Sequence, residues 1–383
     1  MKEYSVIRLR FTSECTMKIT RITVWKVPLT SHETYYMADG KTCDTVDSII
    51  VALDTDKGLT GWGEVCPIPH YLPAYADGVA PAIADMCDVI LGADPIGPEA
   101  LMHKLDTHLQ GHSYAKSAID TALWDLTAKA ANLPLYRLLG GKHNESLPLY
   151  HSITCIAPDS MATIAQTVQQ QGIKQFQVKL GADNDWQADV ERLTQVRKAV
   201  GNGPLVYGDW NCGASQLDAI RIARAVAHLD IMLEQPCATL TQCDNVKKAT
   251  GLAMKIDESA HDTASLLEAY QLGCMDAVAL KLSKFGGLSH MRRARDLCVH
   301  LGAKMCIEDT WGSDITTATA IHLATATPSK SIMNVCDLSA YVAPRLDTNG
   351  PQRNNGTIVI DDKPGHGITP NPDVLGTPLQ TLE

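Results

Sequence analysis

The chain has 383 residues, 33 Lys and Arg against 43 Asp and Glu, and a formal charge of −10. At 45% hydrophobic and 20% charged residues it has globular composition rather than disordered, and its length fits a barrel-sized domain plus a smaller partner. No Lys/Arg block supplies the basic footprint that nucleic acid or an anionic membrane requires, so neither is expected as a partner, and an anionic substrate needs a local cation.

Regular patterning begins at Met17, and residues 1–16 read as either a flexible extension or a misassigned start. From Lys18 to Asp54 the pattern alternates in ITRITVWKV and DSIIVALDT, and DTDKGLTGWGE reads as a hairpin turn and a further strand, giving a small antiparallel sheet. From Leu72 to Leu139 apolar residues recur three and four apart in VAPAIADMCDVIL and YAKSAIDTALWDLTAKAAN, which predicts helices, the latter ended by Pro134 and later Gly140-Gly141. Residues 17–140 are thus expected to form an α+β domain.

After Gly141 short apolar strands alternate with helical stretches: LPLYHSI, QFQVKLG, LVYGDWN, IMLEQP, MKIDES, AVALKLS, KMCIEDT and IMNVCDL. This order predicts an α/β fold, a TIM-like (β/α) barrel over 141–343, whose catalytic side chains emerge at the C-terminal strand ends. One acid or lysine stands near most of those ends: Lys179, Asp209, Glu234, Asp257, Lys281, Glu308 or Asp309, and Asp337. Residues 344–383, rich in Pro, Gly and Asn, are expected to pack back on the first domain through GTIVI and GHGITP.

The twelve cysteines form no CxxC pair, and Cys155, Cys274 and Cys306 lie in apolar runs. Small buried hydrophobes in a reducing cytosol are the expected reading, and no signal-peptide core or membrane-length apolar run opposes a cytoplasmic place.

Asp209, Glu234 and Asp257 are 25 and 23 residues apart, about one βα unit each, so consecutive strands are expected to present three carboxylates to one point. Hard oxygen ligands in that number suit Mg²⁺. Any one Asp in a βα loop is more often a cap, but three in succession favour a metal site. Lys179 and Lys281 flank the acids on neighbouring strands, bracketing a substrate, and a lysine held near a metal and shielded from water can have its pKa lowered enough to act as a base at neutral pH. Taken singly, each lysine is as readily a structural countercharge. Removing a proton beside a carboxylate builds an enediolate, whose charge a divalent cation offsets, so metal and lysines belong to one chemistry.

In this order, behind GLTGWGE and AIDTALWDLTAK, these residues resemble the muconate-lactonizing subgroup of the enolase superfamily, which uses Lys or His bases with Mg²⁺. The resemblance implies a (β/α)7β barrel closed by the N-terminal capping domain, with loops near 35–41 and 67–75 covering the mouth, and a homo-oligomer. GHSYAKSAID, LEQPCATL, KLSKFGGLSHMRRARDLC and IEDTWGSDI are similar to the group holding cis-3-hydroxy-L-proline dehydratases and hydroxyproline-betaine or proline-betaine epimerases. It implies catalytic Lys179 and Lys281, metal ligands Asp209, Glu234 and Asp257, and substrate contacts at Tyr71, Gln177 and Trp311. Gln177 stands where many members have lysine, which suits a cationic or zwitterionic imino acid or betaine. An indole at the mouth also attracts an ammonium by cation–π interaction, and the flanking Asp309, Gly312 and Asp314 predict an exposed loop for Trp311. Dehydration of cis-3-hydroxy-L-proline to Δ1-pyrroline-2-carboxylate is the expected activity, with 2-epimerisation of a proline betaine as the alternative.

Overall fold

The computed structural model describes residues 17–383, so the readings of residues 1–16 and of Cys15 lie outside the described residues. Alternation in the N-terminal stretch produces three long antiparallel strands, Ile19–Tyr36, Thr42–Thr55 and Thr60–Val65, with Val342–Ala343 and Gln380–Leu382 added along the first. The first strand runs well beyond ITRITVWKV, because a register shift between Thr30 and Tyr35 bends it and lets it continue to Tyr36. That extension carries Tyr35 to the mouth of the barrel.

The helix Ser113–Ala130 packs directly on the strand Thr60–Val65. The glycines of GLTGWGE allow this approach: a Cβ on Gly63 would stand 1.9 Å from the Ala118 carbonyl oxygen, and one on Gly61 2.2 Å from that of Ala122. The stretch VAPAIADMCDVIL, read as one helix, is broken at Met86 into Val79–Asp85 and Cys87–Ile90.

The eight expected barrel strands all form, in parallel and in chain order: His151–Ile153, Gln175–Lys179, Leu205–Asp209, Met232–Glu234, Met254–Ile256, Ala277–Lys281, Lys304–Glu308 and Ile332–Val335. A parallel bridge between Leu149 and Val335 joins the ends of the sheet. Helices fill the seven intervals between strands, the last being Asp314–Thr325, so the architecture is (β/α)7β. Tyr150, Tyr207, Met232, Ala277, Cys306 and Met333 pack together as one buried cluster. A second and larger cluster packs the strands against the surrounding helices.

The tail divides its contacts. Thr357–Val359, the GTIVI strand, pairs with Leu147–Pro148 at the entry to the barrel, not with the N-terminal sheet. In GHGITP, His366 is held against the first domain by Asp125 Oδ1 at 3.0 Å and the Trp62 carbonyl at 3.0 Å. Among the described residues no helix is long and apolar enough to cross a membrane, and the described cysteines are all free, most of them buried.

Candidate active site

Asp209, Glu234 and Asp257 stand at or just past the ends of the third, fourth and fifth barrel strands, each at most 1% exposed. The Gln177 amide links two of them, donating through Nε2 to Asp209 Oδ2 at 2.9 Å and Glu234 Oε2 at 2.8 Å. Asp257 turns the other way, toward Lys281 Nζ at 2.7 Å on Oδ2 and Lys284 Nζ at 2.8 Å on Oδ1. Among the described residues no three His, Cys, Asp or Glu side chains therefore gather tightly enough to hold an ion, a departure from the single point of convergence expected. The physical reason is charge: buried carboxylates take whatever donors lie nearest, and here those are ammonium and amide groups.

The donor set nevertheless suits a hard divalent cation. Glu234 Oε1 and Glu258 Oε2 are buried carboxylate oxygens without a hydrogen-bond donor, although Lys255 Nζ pairs with the former by charge at 2.9 Å. Six carboxylates line or underlie this mouth, from Asp209, Glu234, Asp257, Glu258, Glu308 and Asp309, against the ammonium groups of Lys179, Lys255, Lys281 and Lys284. Carboxylates thus outnumber ammonium groups here, and added positive charge would favour their ionised forms. Burial pushes Glu234 up to about 8 against the opposing charge of Lys255, and Glu258 up to about 7. Each is a carboxylate short of positive charge.

Lys179 and Lys281 end the second and sixth of eight strands, which places them across the barrel from each other, and both line one cavity. Lys179 Nζ is 2.5 Å from Asp209 Oδ2 and 3.1 Å from Asn211 Oδ1. Burial works to lower both ammonium groups, but Asp209 and Glu234 outweigh it at Lys179, and Asp257 at Lys281, so both are raised. Among the protein's own groups, the carboxylates in direct contact set the direction, because their field exceeds the desolvation; the lowering expected of a lysine near a metal needs that added positive charge. Lys284 does shift down, burial being the larger influence.

Tyr71 reaches into the mouth. Its hydroxyl donates to Asp257 Oδ2 at 2.7 Å and accepts from Lys281 Nζ at 2.8 Å, with Lys281 Nζ 4.9 Å from the ring centre. Gln177 lines the cavity, but both ends of its amide are engaged, since Oε1 accepts from Ser152 Oγ, whose hydroxyl also meets that of Tyr35. Trp311 lines the cavity as well, though not from an exposed loop: it is only 7% exposed, packed with Tyr35 at 5.8 Å and Tyr341 at 6.2 Å between ring centres. The polar neighbours that suggested exposure are themselves buried, Asp309 accepting from Ser283 N at 3.1 Å and Asp314 from Leu346 N at 2.7 Å.

Several site residues escaped the sequence reading. Lys255 is fully buried, two residues before Asp257 on one strand, and that two-residue spacing was the available signal for a shared face. Glu308, by contrast, was one of the two acids read at its strand end; both it and Asp309 line the cavity, with Glu308 hydrogen-bonded by the Tyr150 hydroxyl. Tyr35 begins the 35–41 segment that the resemblance set over the mouth, whereas Ser152 and Tyr341 carried no local signal, because residues 189 positions apart meet only when the barrel closes. Asp337 is removed from the chemistry by its ion pair with Arg353.

Comparison with known proteins supplies the family. Residues 19–140 match the mandelate racemase / muconate lactonizing enzyme N-terminal domain, and residues 160–374 the enolase C-terminal domain-like family. A cis-3-hydroxy-L-proline dehydratase of Roseibium aggregatum is 38% identical over 95% of this chain and 99% of its own. An L-Ala-D/L-Glu epimerase of Bacillus subtilis is 30% identical over 92% of this chain and 97% of its own. A magnesium complex of an enolase-superfamily member from Roseovarius nubinhibens superposes with a TM-score of 0.90 at 32% identity, covering 96% of this chain and 100% of that one. With both domain models matched and full-length relatives of this similarity, the chain belongs to the mandelate racemase/muconate lactonizing family of the enolase superfamily and is an enzyme.

Proposed function

We propose that this enzyme dehydrates cis-3-hydroxy-L-proline to Δ1-pyrroline-2-carboxylate. The observation that carries the reading is the pair of lysines facing each other from the second and sixth strands across one small cavity walled by Tyr35, Trp311 and Tyr341. Asp209, Glu234 and Asp257 are the residues that would hold Mg²⁺, whose chemistry there is to offset negative charge as it builds on the substrate carboxylate.

Lys179, once it has released its proton, takes the α-proton, and the electron pair moves into the carboxylate as an enediolate. The pair then returns to form the C2–C3 double bond as the C3–O bond breaks, and Lys281, held as an ammonium beside Asp257 and Tyr71, protonates the departing hydroxide to water. The resulting enamine tautomerises to the cyclic imine. A proton passed back from Lys179 to Lys281 through solvent restores both groups.

Recognition of the ring nitrogen fits the same cavity. The buried Glu308 carboxylate and the face of Trp311 both suit an ammonium, one by charge and the other by its quadrupole. Oligomerisation is part of the same reading, supported only by family resemblance.

The second reading is 2-epimerisation of proline betaine or hydroxyproline betaine, favoured by the two-sided lysine arrangement, which suits removal of a proton on one face and its return on the other. Product analysis by proton NMR in D₂O with Mg²⁺ separates them. Loss of the C3 hydroxyl from cis-3-hydroxy-L-proline supports dehydration, whereas an intact ring with deuterium at C2 of a betaine establishes the epimerase instead.

A further inference from the structure

Glu64, the acid of GLTGWGE, is a carboxylate only 2% exposed with no cationic partner among the described residues. All its bonds but one cross to the barrel. Oε1 accepts from Ser313 N at 2.8 Å and Ser313 Oγ at 2.7 Å, and Oε2 from Thr316 N at 2.9 Å; Ser48 Oγ, on the neighbouring strand, completes the set at 2.9 Å. Ser313 caps the helix Asp314–Thr325 without a side-chain cap bond of its own, and a carboxylate from the other domain satisfies two of the free N–H groups at the helix start, those of Ser313 and Thr316. A second tether lies on the other side of Trp311, where the Tyr114 hydroxyl, from the capping-domain helix, meets Thr310 Oγ1 at 3.0 Å. Trp311 therefore stands between two points at which the N-terminal domain grips one barrel loop.

We propose that Glu64 is a positioning residue, a capping-domain carboxylate that fixes the loop bearing Trp311 and so sets the aromatic wall of the substrate cavity. It acts through Trp311 rather than on the reacting atoms, and it rests on the reading that Trp311 touches substrate. Glu64→Gln keeps the shape but turns an amide N–H toward backbone N–H donors, so the loop is released where two donors now oppose each other.

The test uses the full chain with Glu64→Gln and Trp311→Phe, singly and together. Two quantities are read: kcat and KM for cis-3-hydroxy-L-proline, and acrylamide quenching of the Trp311 emission, taken as the difference from Trp311→Phe in each background. Glu64→Gln is expected to raise KM about tenfold with kcat within about twofold, the size expected for loss of a charged hydrogen bond. Trp311 should become more quenchable. The double variant should match Trp311→Phe alone within about twofold, because both changes act through one side chain. KM effects that multiply, or Trp311 quenching that stays unchanged, would overturn the proposal. A lower melting temperature with KM and quenching unmoved would do the same, leaving Glu64 a structural contact only. Should Glu64→Gln fail to fold, Ser313→Ala removes one of the bonds and must shift quenching in the same direction, and no shift refutes the proposal. If the wild-type enzyme turns over neither hydroxyproline nor a betaine, the functional reading fails, while the quenching comparison still decides whether Glu64 positions Trp311.

Discussion

Tyr71→Phe isolates the polar half of a residue whose ring and hydroxyl do different things. The hydroxyl lies between Asp257 Oδ2 at 2.7 Å and Lys281 Nζ at 2.8 Å, while the ring covers Lys281 with its centre 4.9 Å away. Burial and the Asp257 charge hold the phenol well above its ordinary pKa, so it remains a donor throughout the working range. Phenylalanine keeps the ring and removes a hydrogen bond to each charged partner. Because Lys281 and Asp257 also touch directly at 2.7 Å, they remain paired with each other. The net loss is then that of about one bond to a charged group, about 1.5–3 kcal/mol, or roughly ten- to a hundredfold in kcat/KM. Steady-state kinetics on cis-3-hydroxy-L-proline should place most of this in kcat, since Lys281, the proton donor of the proposed mechanism, loses its support. Activity within twofold of wild type would refute the idea that the hydroxyl orients Lys281, and a pure rise in KM would move Tyr71 to substrate binding alone.

Asp120 accepts from Ser289 N at 2.6 Å and Ser289 Oγ at 2.7 Å, and burial pushes its carboxyl up to about 7. A raised carboxyl contributes stability that is complete below the unfolded value near 4 and is lost as pH rises through about 7, by up to roughly 4 kcal/mol at about 1.4 kcal/mol per unit. Urea denaturation should accordingly show Asp120→Asn gaining on wild type as pH rises from 4 to 8; parallel curves would contradict this. Mg²⁺ at a hundred times its dissociation constant should stabilise the enzyme by about 2.7 kcal/mol, and the thermal shift should vanish in Asp209→Asn and Glu234→Gln. A full shift in both variants would remove them as ligands. Gly63→Ala drives a Cβ to 1.9 Å from the Ala118 carbonyl oxygen and should cost about 3 kcal/mol or more of stability, so an unchanged melting temperature would mean the helix can retreat.

Strand ends were legible because a barrel strand is a short apolar run closed by a residue of another kind, and every charged end residue from Lys179 to Lys281 falls where that rule puts it. Legibility failed where position depends on contacts between distant segments. Tyr35 and Trp311 are 276 positions apart yet meet at 5.8 Å between ring centres, and nothing local to either announces the other. Trp311 was expected to be exposed because acidic and glycine neighbours usually mark a surface loop, but Asp309 and Asp314 find buried backbone donors that a sequence does not display. The direction of the lysine pKa shifts among the protein's own groups was hidden for a related reason. Burial was foreseen, but the direct contact of each ammonium with a carboxylate was not, and at 2.5–2.7 Å the contact dominates. Lys255 was within reach of the periodicity, since a lysine two residues before a strand-end acid shares its side of the sheet.

The most direct test follows the α-proton of cis-3-hydroxy-L-proline by NMR in D₂O with Mg²⁺, comparing wild type with Lys179→Ala. Wild type should consume the substrate and release the imine, while Lys179→Ala should neither exchange the α-proton nor form product. Continued α-exchange or dehydration in Lys179→Ala would contradict the account, because another group would then be the base.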